Sequence, residues 1–282
     1  MIEQFQHKLT NSFFLWFDNY LLTKGEAYSN LTGVLFKYTD PRLDSSYTVY
    51  GSAYKQWVSD SSINGAKIPS GIHINGNFSG RSSNLSLDFE NGRVLVKNGP
   101  NNPTITGSFA VKDFNVYFSN STEEDLIIEN KYDINSRIGV NQQSYIQPYD
   151  QVLPAIFLSI DGMTNKSFAM GGLEETCIIA KAVVLAENPY QLDGALSIFA
   201  DSKNETFESI PMSGQQLNEL GDLKTGYYSY LDLKNKYGNN SKFFINSVNT
   251  SKLADKHRKS LSSDMYVGFV DFEIGQYRYR HQ

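Results

Sequence analysis

The sequence contains a single cysteine, Cys177, among 282 residues. One thiol excludes an intramolecular disulfide and any cysteine-based metal cluster. Its setting, Thr176-Cys177-Ile178-Ile179-Ala180, is apolar and β-like, which reads as a small buried hydrophobe rather than a reactive thiol. Histidine is scarce too: His7, His73, His257 and His281, none at metal-motif spacing with another ligand. No apolar run approaches the ~18 to 20 residues a bilayer-spanning helix needs. The aromatic run near the start is too short for a signal peptide's apolar region and is closed by Asp18, so synthesis and assembly in a cytoplasm are expected. Basic charge is also lacking. Lys and Arg number 25 against 30 Asp and Glu, a net charge of −5, which suits no protein that wraps nucleic acid.

Motifs for chemistry are missing as well. No glycine-rich phosphate loop occurs. Gly76-Asn77-Phe78-Ser79-Gly80 has one residue too many before the serine for a nucleophile elbow. Asp201-Ser202-Lys203-Asn204-Glu205 lacks the spacing of a calcium loop and reads as a polar turn. Glu174 and Glu175 are strand neighbours that point to opposite faces, so they do not share a proton. The basic cluster Lys256-His257-Arg258-Lys259 reads as a solvated helix face, with phosphate or DNA contact as its other reading. The expectation is a non-enzyme with no catalytic residue, no cofactor and no metal.

What the chain does have is aromatic residues: 18 Tyr, 18 Phe and 2 Trp. Ile2, Phe5, Leu9, Phe13, Trp16 and Tyr20 recur at three- and four-residue steps, one stripe of an α-helix that Phe14 and Phe17 widen and Lys24-Gly25 stops. Such a face packs either on its own domain or on a neighbouring subunit. From Val34 to about Ile128 the pattern is β. Ile72 and Ile74 precede a Gly/Asn turn, Leu85, Leu87 and Phe89 alternate, and Asn91-Gly92 before Val94-Leu95-Val96 signals a hairpin. Thr104–Val111 and Phe114–Phe118 read as a further strand pair. The polar stretch Glu129–Pro154 reads as a boundary. Beyond it Ala155–Ile160, Thr176–Ala186, Phe243–Ile245 and Tyr266–Phe272 read as strands. Pro189–Phe199 reads as a helix with proline in its first turn, and Ser251 as the cap of a short helix. The fold class is thus α+β, mostly β: an N-terminal helix (1–30), a β-sandwich or barrel-like portion (31–150), then an α+β portion ending in an arm (151–282). In Tyr277-Arg278-Tyr279-Arg280 aromatics and guanidiniums alternate, and both types are enriched at interface hot spots.

Several stretches resemble virion structural proteins of contractile-tailed bacteriophages. They are Phe13-Phe14-Leu15-Trp16-Phe17 with Lys24-Gly25-Glu26, Ile72-His73-Ile74-Asn75-Gly76, Asn91-Gly92-Arg93-Val94, Val111-Lys112-Asp113-Phe114, Tyr190-Gln191-Leu192-Asp193-Gly194 and Gly268-Phe269-Val270-Asp271-Phe272. The resemblance implies a ring-forming neck or tail-completion protein of head-tail joining, tail-terminator or sheath-stabiliser type. It implies a second half like that of a tail terminator, although the large β portion departs from a small terminator. It further implies a hexameric or dodecameric ring, virion proteins of the neck, tail tube or sheath as partners, DNA only as passing genome, no membrane, and a place in the virion. The expected partner-binding residues are Phe13, Phe14, Trp16, Phe17, Tyr277, Arg278, Tyr279 and Arg280. The other readings are a capsid-decoration or carbohydrate-binding protein, which requires exposed aromatics such as Trp57 in a groove, and after it a glycan hydrolase with a facing acid pair.

Overall fold

A computed structural model describes residues 2–100, 102–128, 133–134, 151–239, 241–254 and 265–279. Helix α1 (Phe5–Gly25) begins where the Gln4 backbone N–H donates to His7 Nδ1 at 3.1 Å, and ends where Glu26 turns left-handed at φ 47°. It is followed by β1 (Tyr28–Tyr38), β2 (Tyr47–Gly51), β3 (Gly71–Ile74), β4 (Asn77–Gly80), β5 (Leu85–Asp88), β6 (Arg93–Lys97) and β7 (Ile105–Lys112). These seven strands form one sheet in the order β4-β3-β7-β1-β2-β6-β5. The long β1 pairs with β7 along Tyr28–Leu35 and with β2 along Phe36–Tyr38. A bridge between Ser82 and Leu85 brings the two ends of the order together, so the sheet is a nearly closed barrel. Its interior holds Trp57, stacked on Phe109 at 4.4 Å and edge-on to Phe89.

The turn signals divide. Asn75 (φ 50°) and Gly76 (φ 83°) make the two-residue turn their sequence announces, with Ile74 facing Asn77 across it. Asn91-Gly92 does join β5 to β6, but Asp88 faces Arg93, so the loop has four residues and among the described ones Gly92 (φ 60°) alone is left-handed.

The strand after β7 corrects the sequence reading. β8 (Asn115–Phe118) does not pair with β7. The chain leaves the barrel at Lys112 and enters a second sheet at Asn115, parallel to β11 (Ala155–Ser167). What replaces β7 beside it is the side chain of Gln56. Its Oε1 accepts from Val116 N at 2.8 Å and its Nε2 donates to the Val116 carbonyl at 2.9 Å, a backbone-like pair from a side chain.

The remaining elements are α2 (Glu123–Ile128), β9 (Asp133–Ile134) parallel to β10 (Val152–Leu153), β12 (Leu173–Ala186), α3 (Pro189–Ala200), β13 (Thr206–Glu208), α4 (Tyr230–Tyr237), β14 (Lys242–Lys252) and β15 (Tyr266–Tyr279). The second sheet runs β13-β14-β15-β12-β11-β8 and curves into a half-barrel. α3 starts as its sequence predicts: Asn188 Oδ1 accepts from Gln191 N at 2.9 Å and Pro189 follows. Ser251 is no helix cap; it lies in β14. The basic cluster Lys256–Lys259, and most of the expected boundary stretch, lie outside the described residues. The fold is mostly β with an N-terminal helix, as read.

α1 lies between the two sheets and ties them. Lys112 Nζ on β7 reaches Asp18 Oδ1 at 2.6 Å. Asp60, which is buried, accepts from Asn19 Nδ2 (2.8 Å), Ser62 Oγ (2.7 Å) and Tyr230 N (2.9 Å), so one carboxylate clasps α1, a barrel loop and the start of α4. Ser12 Oγ accepts from Ile210 N at 2.7 Å, and Asn11 Nδ2 donates to the Pro211 carbonyl at 2.9 Å.

Candidate interaction surface

The aromatic face of α1 turns inward. Phe13 and Phe17 are fully buried and Trp16 is 4% exposed. Phe17 stacks on Phe199 of α3 at 4.1 Å, Trp16 stacks on Phe207 of β13 at 5.3 Å, and Phe13 meets Phe272 of β15 edge-on at 5.4 Å. The concave side of the half-barrel has its own aromatic wall, and α1 fills it. Expected docking of Phe13, Trp16 and Phe17 on another subunit is therefore corrected: in the chain these rings meet one another and this wall. Phe14 is half-buried and lines a cleft of about 380 Å³ with Glu90, Tyr117 and Gln215. Although Glu90 is exposed, desolvation of its carboxyl against the cleft wall, then the neighbouring Asp88, pushes it above its usual range. Asp18, which lines an adjoining cleft with Glu90, is paired with Lys112 at 2.6 Å. Trp57, 1% exposed inside the barrel, offers no sugar platform.

What the molecule does expose is an arm. β8 covers β11 along Ala155–Leu158, and beyond that β11 runs out with β12 and the end of β15. Residues 161–172 are all exposed, and Gly171 (φ 105°) and Gly172 (φ 87°) turn the chain at the tip. Met170 there is 98% exposed and Phe168 56%. An aromatic row crosses the sheet behind the tip: Phe168 lies 4.5 Å from Tyr277, and Tyr277 stacks on Phe244 at 5.3 Å. Exposed apolar side chains gathered at one projection mark interaction sites rather than scattered surface residues.

The Tyr-Arg ending belongs to this arm. β15 places Tyr277 and Tyr279 on the exposed side, where both remain nearly half exposed. Arg278 points the other way. Its guanidinium lies 3.9 Å over the Phe5 ring, and its Nε donates to Thr176 Oγ1 at 2.8 Å. The alternation thus sorts the aromatics outward and the cation onto α1, over a cavity of about 440 Å³ lined also by Glu3, Lys8 and Leu173. Arg280 lies outside the described residues. Sequence reasoning missed the arm's other half, Met163, Phe168 and Met170; the one available signal was the Gly171-Gly172 pair between two strands.

Cys177 sits on the arm's exposed face, its Sγ donating to Glu273 Oε1 at 3.3 Å. Burial first, then that hydrogen bond, pushes the thiol up to about 11. Among the described residues no group of three or more His, Cys, Asp or Glu side chains is placed to hold a metal ion, and no helix is long and apolar enough to cross a membrane. No protein-family model matches the chain, and no curated protein matches it.

Proposed function

We propose that this chain is a structural, ring-forming component of a contractile-tailed phage virion, placed at the neck or tail and working by assembly rather than catalysis. The observation that carries the reading is the arm: a strand pair with a methionine-tipped end, an aromatic row and an open edge, projecting from a body whose α1 ties both sheets. A rigid body with one exposed sheet extension is suited to repeated contact with copies of itself and with neighbouring virion proteins. The sequence resemblance supplies the particle. Assembly then takes place in the bacterial host cytoplasm, the ring has hexameric or dodecameric order, and DNA is met only as the passing genome. Native mass spectrometry and negative-stain images of the purified chain test this. Closed rings of one order, together with the chain's presence in purified particles, are expected. A chain that stays monomeric and is absent from particles refutes it, and so does hydrolytic turnover that disappears on substituting Glu90.

A further inference from the structure

The half-barrel has two open edges that complement each other. On one side β8 stops at Leu158, and Ser159–Ser167 of β11 have no strand neighbour there among the described residues. On the other side β13 covers β14 along Lys242–Phe244, and the backbone of Asn204 and Glu205 takes Ile245. Beyond it Asn246–Lys252 of β14 have no strand neighbour on that side among the described residues. From edge to edge the strands are β11, β12, β15 and β14, each antiparallel to the next. An even number of alternating strands leaves the two edges running in opposite directions. A second copy in the same orientation therefore presents its β14 antiparallel to the first copy's β11, continuing the alternation without a break. We infer that the β11 edge of one copy pairs with the β14 edge of the next, so that the sheet runs on across the subunit junction. This rests on the assembly reading above and names the surfaces that carry it.

The chemistry of the edges agrees. Solitary edges are blunted by charge, proline or cover. Here Gly162–Asn165 and Asn246–Ser251 carry no charge and no proline, and Lys166, the cation on the open stretch of β11, lies on the exposed face level with Glu175. The bulge at Asp161 lies near the inner end of the open length, where Asp161 is held by Lys181 at 3.3 Å. Thr164 lies on the exposed face level with Cys177, and Asn249 lies on that same face, level with Asp271 and Lys181. Hydroxyl and amide groups, each both donor and acceptor, then meet across the junction. Lys252 is turned to the other face and paired with Asp193, so no like charges oppose. The open lengths also sit at different levels: Asn249 is level with Ser159, while the middle of the β11 opening is near Met163. Pairing Thr164 with Asn249 keeps the faces together and shifts each copy along the strands by four residues, roughly 13 Å. Such a stagger is what closing tilted strands around an axis demands. The contact is heterologous, so it gives no two-fold dimer; it generates the ring of the assembly reading where the rotation per subunit closes, and an open filament where it does not.

Cysteine pairs test it in a Cys177→Ser background. Thr164→Cys is combined in turn with Ser247→Cys, Asn249→Cys and Ser251→Cys, three registers on one face. The two positions lie on opposite edges of one chain, so any disulfide joins two copies. We expect one of the three pairs to give a covalent ladder on non-reducing gels that ends at the ring order found by native mass spectrometry, with each single variant giving none. Rings that form without any of the three cross-links would overturn the edge pairing and leave the assembly reading standing. Dimers from Thr164→Cys alone would show two β11 edges meeting about a two-fold axis and would also overturn it. A folded chain that stays monomeric would remove both.

Discussion

Replacing Arg93 with methionine takes one cation from between two buried carboxylates. Its Nε lies 2.6 Å from Asp88 Oδ2 and its Nη1 2.6 Å from Asp40 Oδ2; the three side chains are 7%, 0% and 1% exposed. In the intact network the Coulombic gain and the desolvation cost largely cancel, whereas removing one partner strands the others, at about 3–5 kcal/mol. Asp40 keeps Arg42, whose Nε and Nη2 each lie 3.1 Å from its oxygens. Those hydrogen bonds, working against burial, hold its carboxyl far below the usual range. Asp88 keeps the Asn91 amide, and among the described residues no second cation pairs with it. The loss is thus mostly that of Asp88 and should be near the lower end, about 3 kcal/mol, or roughly 6–12 °C in melting temperature for a chain of this size. Burial already pushes the Asp88 carboxyl up against the pull of Arg93. Without the arginine it rises further, so the folded variant takes up a proton more readily than the unfolded chain. The deficit should be largest near pH 8 and should shrink as pH falls toward 5, because protonation removes the stranded charge. Arg93→Lys keeps the charge but not the two-sided fork, and should fall between. Urea unfolding followed by tryptophan fluorescence at both pH values measures this. A deficit under about 1 kcal/mol at pH 8, or one that does not change with pH, refutes the reasoning.

Gly92→Val should cost more than about 1–3 kcal/mol, since φ is +60° and a Cβ there would sit 2.1 Å from the Lys55 carbonyl oxygen; wild-type thermal stability in the variant would contradict it. Phe17→Ala should lower stability by about 3–5 kcal/mol in urea titrations, as a buried ring removed from the α1–α3 stack; a fold of unchanged stability with lost assembly would put that ring in an interface instead. Cys177 should resist iodoacetamide near pH 8 and react as pH approaches about 11, and fast alkylation followed by mass spectrometry at pH 7 would show that its thiol is not held by burial and Glu273.

The elements whose cause is local were legible in the sequence. The α1 stripe, the Asn188-Pro189 start of α3 and the Asn75-Gly76 turn each carry their signal within a few residues. Partners set at long range were not. A two-residue period says that Asn115–Phe118 is a strand, but not which sheet takes it, and the deciding contact is a side-chain amide from Gln56 some sixty residues away. The stripe on α1 says a face is buried; that it meets Phe199, Phe207 and Phe272 depends on three elements far along the chain. The Tyr-Arg alternation was readable as two faces, and the structure separates them so. The arm was hidden because β11 loses its apolar character after Ile160, where pairing with β12 alone sustains it.

The placement of β15 has a mechanical consequence. It is the last of the described strands, yet it lies between β14 and β12 rather than at a margin, and it ends in the arm. A pull applied at Tyr279 along the strand would not peel hydrogen bonds one after another. It would load both ladders at once in shear, and β12 would pass the tension to β11 while Phe272 passed it to α1 and thence to the barrel. A load arriving at the arm would be shared by the whole body before any single strand could slip.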